Sequence, residues 1–428
     1  MFKKLRLLPP IFAVLFYFLL SLRVFAQPIN DTIYNSDIHT IQIYKDGWKL
    51  SYPIYELNSD IGLVISFDDL SAQNKKYWYT LVHCNAEWIP ENLNYNEYMD
   101  GFEQNPINST LFSTNTTVTY VHHSFNLPNE DVVFKVSGNY MLYVFEDNNL
   151  EHMAFTRKIY VAENNAQIDL KIIRPQLPRY MMRYQQYQIS IKPLIENSID
   201  LKNDVKCFIS KNLELYSQKR ITITYQNSEG TLFSDDPDLN IIPGGNEYRN
   251  FDIKSIKYQS PQIQSINFTG ENYVIQLYPD EIKNKKNYFS DIDINGRFYI
   301  ENSRGNKKEI DADYVKVNFT LASDFLTEGE IYVMGNLSNW KPLPSNKLSY
   351  NFTNQSYECS ILLKQGYYNY NYYLFNSEFN NSQTTLFEGD HYETENDYIL
   401  LVYYKNAMDR YERLLSYKIA NSMNKASN

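Results

Sequence analysis

EIYVMGNLSNW (Glu330–Trp340), LLKQGYYNYNYYLF (Leu362–Phe375) and EGDHYETENDYILLVYY (Glu388–Tyr404) decide how this chain folds. In the second segment Tyr368, Tyr370 and Tyr372 alternate with other residues, so on a strand they share one face. Tyrosine and β-branched residues suit a pleated, half-buried surface. Two readings of the region compete. In one, a sugar-binding β-sandwich displays Trp340 and a ladder of tyrosines. In the other, the region is the last structural module of a larger β-rich protein that binds another protein. The tyrosine row reads as a core face, and Trp340 is the one residue here to test as a contact.

The same β pattern runs through the preceding chain. Leu63, Ile65 and Phe67 lie on one face of a strand, and Val64 and Ser66 on the other. Further strands are expected at 77–84, 119–125, 132–136, 140–145 and 155–161, with turns between them. This spacing predicts an immunoglobulin-like sandwich over 27–163. Glu163 to Gln167 is polar and reads as a linker. A middle β-rich domain is expected over 164–310 and a C-terminal sandwich over 311–405. Leu414, Leu415 and Ile419 have helical spacing, so residues 406–428 are expected to form a helical or loose tail. The expected fold class is therefore all-β, in tandem sandwich domains.

Met1 to Ala26 has the form of a secretory leader. Lys3, Lys4 and Arg6 precede the apolar run Leu7–Leu22, and Val24-Phe-Ala26 predicts cleavage before Gln27. No cysteine follows the cut, and no second apolar run of that length occurs, so an exported, soluble protein without stable direct membrane insertion is expected. The full chain carries a net charge of −10. Losing the leader removes four basic residues and no acidic one, which argues against nucleic acid and anionic membranes as partners. Cys84, Cys207 and Cys359 are far apart in sequence and read as buried free thiols rather than a disulfide scaffold.

Catalytic motifs are missing from the sequence: no G-x-S-x-G, no H-E-x-x-H and no phosphate-binding glycine loop. His122 and His123 are neighbours on an expected strand, so they face opposite ways and cannot share a metal. His83 and Cys84 fail for the same reason. Asp291-Ile-Asp293-Ile-Asn295-Gly296 begins like a calcium loop, but Asn302 stands where a bidentate Glu is needed. It reads instead as a strand ending in an Asn-Gly turn. The acidic pairs Asp68/Asp69, Asp235/Asp236 and Asp311/Asp313 arise freely among 50 acidic residues. No enzyme activity, metal or cofactor is expected.

Several segments together resemble one family, the plug proteins of the type IX secretion system. They are Leu50-Ser-Tyr-Pro53, Ser66-Phe-Asp-Asp-Leu70, Tyr77-Trp-Tyr-Thr-Leu-Val-His-Cys84 and Phe155-Thr-Arg157. Further on come Gly244-Gly-Asn-Glu-Tyr-Arg249, Asp293-Ile-Asn-Gly296, Ala312-Asp-Tyr314, Leu363-Lys-Gln-Gly-Tyr-Tyr-Asn-Tyr370 and Glu393-Thr-Glu-Asn-Asp-Tyr398. The resemblance implies a periplasmic protein that binds the periplasmic side of the giant outer-membrane translocon barrel and seals it when no cargo is engaged. It does not identify the residues that touch the barrel. The rival reading is a secreted or periplasmic carbohydrate-binding sandwich. Asn339-Trp340 and the alternating tyrosines are similar to glycogen-binding modules. Leu337 and Ser338 depart from that pattern, which usually has an aromatic residue and Asn there.

Overall fold

The strand Asp397–Tyr404 lies at the centre of the molecule, and both of its faces are buried. The computed structural model describes residues 30–195, 201–214, 217–305, 308–376 and 381–423; the expected leader, residues 1–26, lies outside them. Tyr398, Leu400, Val402 and Tyr404 enter the core of a middle module. Ile399, Leu401 and Tyr403 pack against Met141, Tyr160 and Ala162 of an N-terminal module. A near-continuous apolar run is what a strand buried on both faces requires. Each such large side chain contributes about 1.5–3 kcal/mol relative to an exposed one.

The N-terminal module is a two-sheet sandwich. One sheet orders Ile38–Lys45, Leu63–Asp69, Val121–Leu127 and Ser109–Phe112. The other orders Thr32–Ile33, Met153–Ala162, Gly138–Glu146, Tyr77–Cys84 and Asn105–Pro106. Leu63, Ile65 and Phe67 share a buried core with Leu142, Val144 and Phe155. The middle module pairs the sheet around Ala166–Ile173 and Tyr184–Pro193 with one that orders Lys219–Ile221, Val205–Lys211, Asp397–Tyr404 and Arg413–Asn421.

The third module sets the sheet centred on Gly366–Asn376 against the sheet centred on Tyr314–Ala322 and Ser356–Lys364. Tyr368, Tyr370 and Tyr372 are buried in its core. Their hydroxyls are all satisfied: Tyr370 and Tyr372 donate to Asp280 Oδ2 at 2.7 and 2.8 Å, and Tyr368 donates to the Lys364 carbonyl. Arg249 closes the group, with Nε 3.0 Å from Glu388 and a terminal nitrogen 2.8 Å from Asp280.

Three expectations need correction. The segment expected to be a helical or loose tail over 406–428 holds the strand Arg413–Asn421, antiparallel to Asp397–Tyr404; residues 424–428 lie outside the described ones. Tyr403 pairs with Leu414 and Val402 with Ser416, so Leu415 is an extra, bulged residue. The bulge breaks the period of two and puts Leu414, Tyr417 and Ile419 on one face, a spacing that mimics a helix. The sheets also group the chain differently from the expected division at 310/311 and 405. The third module's core already includes Phe251, Ile253, Phe298 and Ile300, and Asp397–Tyr404 belongs to the middle module. Finally, Asp291–Ile294 is not a strand. The Asn-Gly turn is present: Asn295 and Gly296 have φ of 53° and 76°, and Arg297 N–H returns to the Ile294 carbonyl at 3.2 Å.

Candidate functional site

The Asn295-Gly296 turn aims Arg297 at the point where the three modules meet. Its guanidinium donates to the Leu50 carbonyl of the first module and lies 3.3 Å from Asp397 Oδ2 of the middle one. It also covers the ring of Tyr52, whose hydroxyl donates to the same Asp397 oxygen at 3.0 Å. Gly296 is required here, since a Cβ would stand 2.8 Å from Tyr248 and 3.0 Å from Trp340.

A second joint ties the first module to the third. Lys364 Nζ donates to Asp68 Oδ2 at 2.6 Å, the Tyr314 hydroxyl donates to the same oxygen at 2.6 Å, and His122 Nδ1 lies 2.7 Å from Oδ1. The Asp68 and Lys364 side chains are each 1% exposed. Burial alone would raise the Asp68 carboxyl. The Lys364 ammonium and the His122 hydrogen bond outweigh it and hold the group below the usual carboxylate range. Nearby, Asp313 accepts from Thr117 N–H and Oγ1 at 2.8 and 2.7 Å. A third joint links the first and middle modules: Lys206 bridges Glu412 at 2.9 Å and Glu87 at 3.1 Å, and Lys405 reaches Glu91 at 2.9 Å.

Next to the Arg297 vertex lies a cavity of about 150 Å³ walled by all three modules. Tyr52 and Tyr160 come from the first, Leu213 and Glu214 from the middle, and Asn339 and Trp340 from the third. Trp340 is therefore a wall, not a displayed platform; it is 5% exposed and packs with Tyr332, Met334 and Tyr373. Asn339 and Trp340 both hold left-handed backbone, with φ of 53° and 49°, which folds the indole inward. With the tyrosine row in the core as well, neither feature that suggested sugar binding is on the surface. The exposed aromatic group lies elsewhere on the third module. Phe325 and Phe352 are mostly exposed, and their rings sit 5.2 and 5.0 Å from Tyr350. Nothing in the sequence distinguished these phenylalanines from the others.

Of the chemistry-bearing residues singled out in the sequence, Asp68 and His122 are brought together. His122 meets Asp68, whereas His123 stacks on Phe67 with centroids 5.0 Å apart, on the other face of the strand. Burial pushes the His123 imidazole down to about 4. Cys84, Cys207 and Cys359 are free thiols in three separate places, and burial pushes each up to about 12. Asp293 is half-buried beside Glu247 and Glu395 and is pushed up to about 7, chiefly by desolvation. Among the described residues no group of His, Cys, Asp or Glu is arranged to hold a metal ion.

The protein-family model described as the type 9 secretion system plug protein, first domain, matches residues 38–163. That span runs from the first residue of the Ile38–Lys45 strand to the end of the N-terminal sandwich. A crystal structure of a hypothetical protein from Parabacteroides merdae matches with a TM-score of 0.89 and 32% identity, covering 92% of this chain and 100% of that one. The chain belongs to the type 9 secretion system plug protein family. No curated protein matches it in sequence. The plug family name implies association with a component of that secretion system. Among the described residues no helix is long and apolar enough to cross a membrane.

Proposed function

We propose that the protein is the periplasmic plug of the type IX translocon. It binds the periplasmic side of the outer-membrane barrel and closes it when no cargo is engaged. Its role is mechanical rather than catalytic, and the leader over residues 1–26 delivers it to the periplasm. The observation that carries this reading, beside family membership, is the way the three sandwiches interlock. The strand Asp397–Tyr404 is core to two modules, and Arg297 and Lys364 fasten the third. A stopper has to resist displacement as one body, and a compact chain of this length has a radius of gyration of roughly 22 Å. Phe325 and Phe352 supply exposed aromatic anchors of the kind that dominate exchangeable interfaces.

A tagged protein purified from native outer membranes in mild detergent is expected to bring the large barrel with it, and a Phe325→Ser/Phe352→Ser variant less of it. Recovery of the tagged protein with no outer-membrane partner would count decisively against the plug reading.

A further inference from the structure

The cavity at the three-module vertex has unbalanced charge. Most of the charged groups around it have partners. Arg297 pairs with Asp397, Lys49 lies 3.3 Å from Glu309, and Glu214 accepts the Tyr248 hydroxyl. Arg157 and Lys158, which also line it, do not. Arg157 engages one of its five N–H donors, on the neighbouring Thr156 carbonyl at 2.8 Å. The Lys158 ammonium sits over the ring of Trp88 at 4.7 Å. Lys341 follows Trp340 in the chain and lies behind the cavity wall, close enough for the charges of Arg157 and Lys158 to act on it. Among the described residues none of these three cations forms an ion pair with a carboxylate. One acid, Asp31, faces the cluster: its oxygens accept from the Lys158 backbone N–H at 2.7 Å and the Asn339 amide at 2.9 Å, and its single charge acts on all three cations, which leaves the cluster net positive.

We propose that this cavity binds a compact oxyanion, a phosphate or a short carboxylate, held by Arg157 and Lys158, with Lys341 adding positive charge beside them. Half-buried charge that lacks a partner is costly, and an anion offsets that cost. Burial depresses the charged forms of all three groups; the Asp31 charge opposes it only in part, and Arg157 and Lys158 push Lys341 further down. A bound anion reverses that pressure. At about 150 Å³ the space equals a cavity that admits benzene in a dry protein core, so the ligand is small. Here the wall is part polar and part apolar, and a guanidinium with free donors suits a bidentate oxyanion. The site joins the first module to the third, so its occupancy tightens the joint between them. The inference stands apart from the plug reading.

The test is thermal unfolding of the mature protein titrated with sodium phosphate and, separately, sodium succinate. Ionic strength is held constant with sodium chloride, and tryptophan fluorescence is read in parallel, since Trp340 lines the cavity and Trp88 lies under Lys158. At least one anion is expected to raise the Tm saturably and change the fluorescence. Saturation with phosphate alone marks a phosphoryl ligand and with succinate alone a carboxylate. The Arg157→Gln and Lys158→Gln variants are expected to bind at least tenfold more weakly. If Arg157→Gln does not fold, Lys158→Gln, at a half-buried position, carries the comparison. The proposal is overturned if neither anion does more than matched chloride, or if the folded variants respond as the parent does.

Discussion

Replacing Lys364 by Met tests how the first and third modules are held. Methionine keeps the length and the apolar stem but loses the ammonium, which sits 4.1 Å from the centre of the Tyr120 ring. It removes the ammonium that meets Asp68 Oδ2 and the Glu309 carbonyl, both at 2.6 Å. Breaking one side of a fully buried pair costs about 3–5 kcal/mol, because the remaining charge is stranded. Asp68 keeps His122 and Tyr314, so the expected loss lies near the lower end, about 3 kcal/mol. The pH dependence follows from the sign of the shift. In the parent the Asp68 carboxyl lies below its unfolded value. Its contribution is present above that unfolded value and is lost as pH falls through the folded one. Without Lys364, burial is less opposed and the carboxyl rises, so the penalty is largest at neutral pH and has already shrunk by about pH 4. Adding Asp68→Asn removes the stranded charge, and the double variant is expected within about 1 kcal/mol of the parent. Urea unfolding at pH 7 and pH 4, followed by tryptophan fluorescence, measures all of this. A cost below about 1 kcal/mol at pH 7, or an equal cost at both pH values, refutes the reasoning.

Three further outcomes are expected. Arg297→Ala removes the group shared by Leu50, Tyr52 and Asp397; Asp397 keeps the Tyr52 hydroxyl and the Asn421 amide, so about 2–3 kcal/mol is lost in urea unfolding, and limited proteolysis begins between modules rather than within them. Trp340→Ala empties a wall of the vertex and costs about 3–5 kcal/mol in the same assay, while the parent protein shows no retardation in glycogen gels. Asp293, with a folded value of about 7, binds a proton more tightly when folded, so stability falls as pH rises from about 4 to 7, by roughly 2–4 kcal/mol; Asp293→Asn is expected to flatten that slope in urea unfolding at stepped pH.

The alternation of Leu63, Ile65 and Phe67 and of the three tyrosines places core faces correctly, because period two survives wherever a strand is regular. It misleads at Leu414 and Leu415, where a bulge shifts the register. Module boundaries are harder to read, because the Asp397–Tyr404 strand returns to a sheet begun nearly two hundred residues earlier, at Val205–Lys211. Its unbroken run Tyr398-Ile-Leu-Leu-Val-Tyr-Tyr404 is the local trace of that double burial. The joints themselves were partly on view. Ser66–Leu70 holds Asp68, Leu363–Tyr370 holds Lys364, Ala312–Tyr314 holds Tyr314, and Glu393–Tyr398 holds Asp397. The segments that carry the family resemblance are thus brought together where the modules meet. Sequence separation hid the partners: Asp68 and Lys364 lie 296 positions apart. Trp340 was legible as unusual but not as buried, because two left-handed residues in succession turn it inward.

The central claim, that this protein closes a translocon, is tested most directly by conductance. The barrel would be purified from a strain lacking the protein, reconstituted in planar bilayers, and exposed to the mature protein on its periplasmic side. The account predicts that a large, persistent conductance falls to a closed level on addition and returns when the protein is washed away. An open barrel whose conductance is unchanged at saturating protein would contradict it.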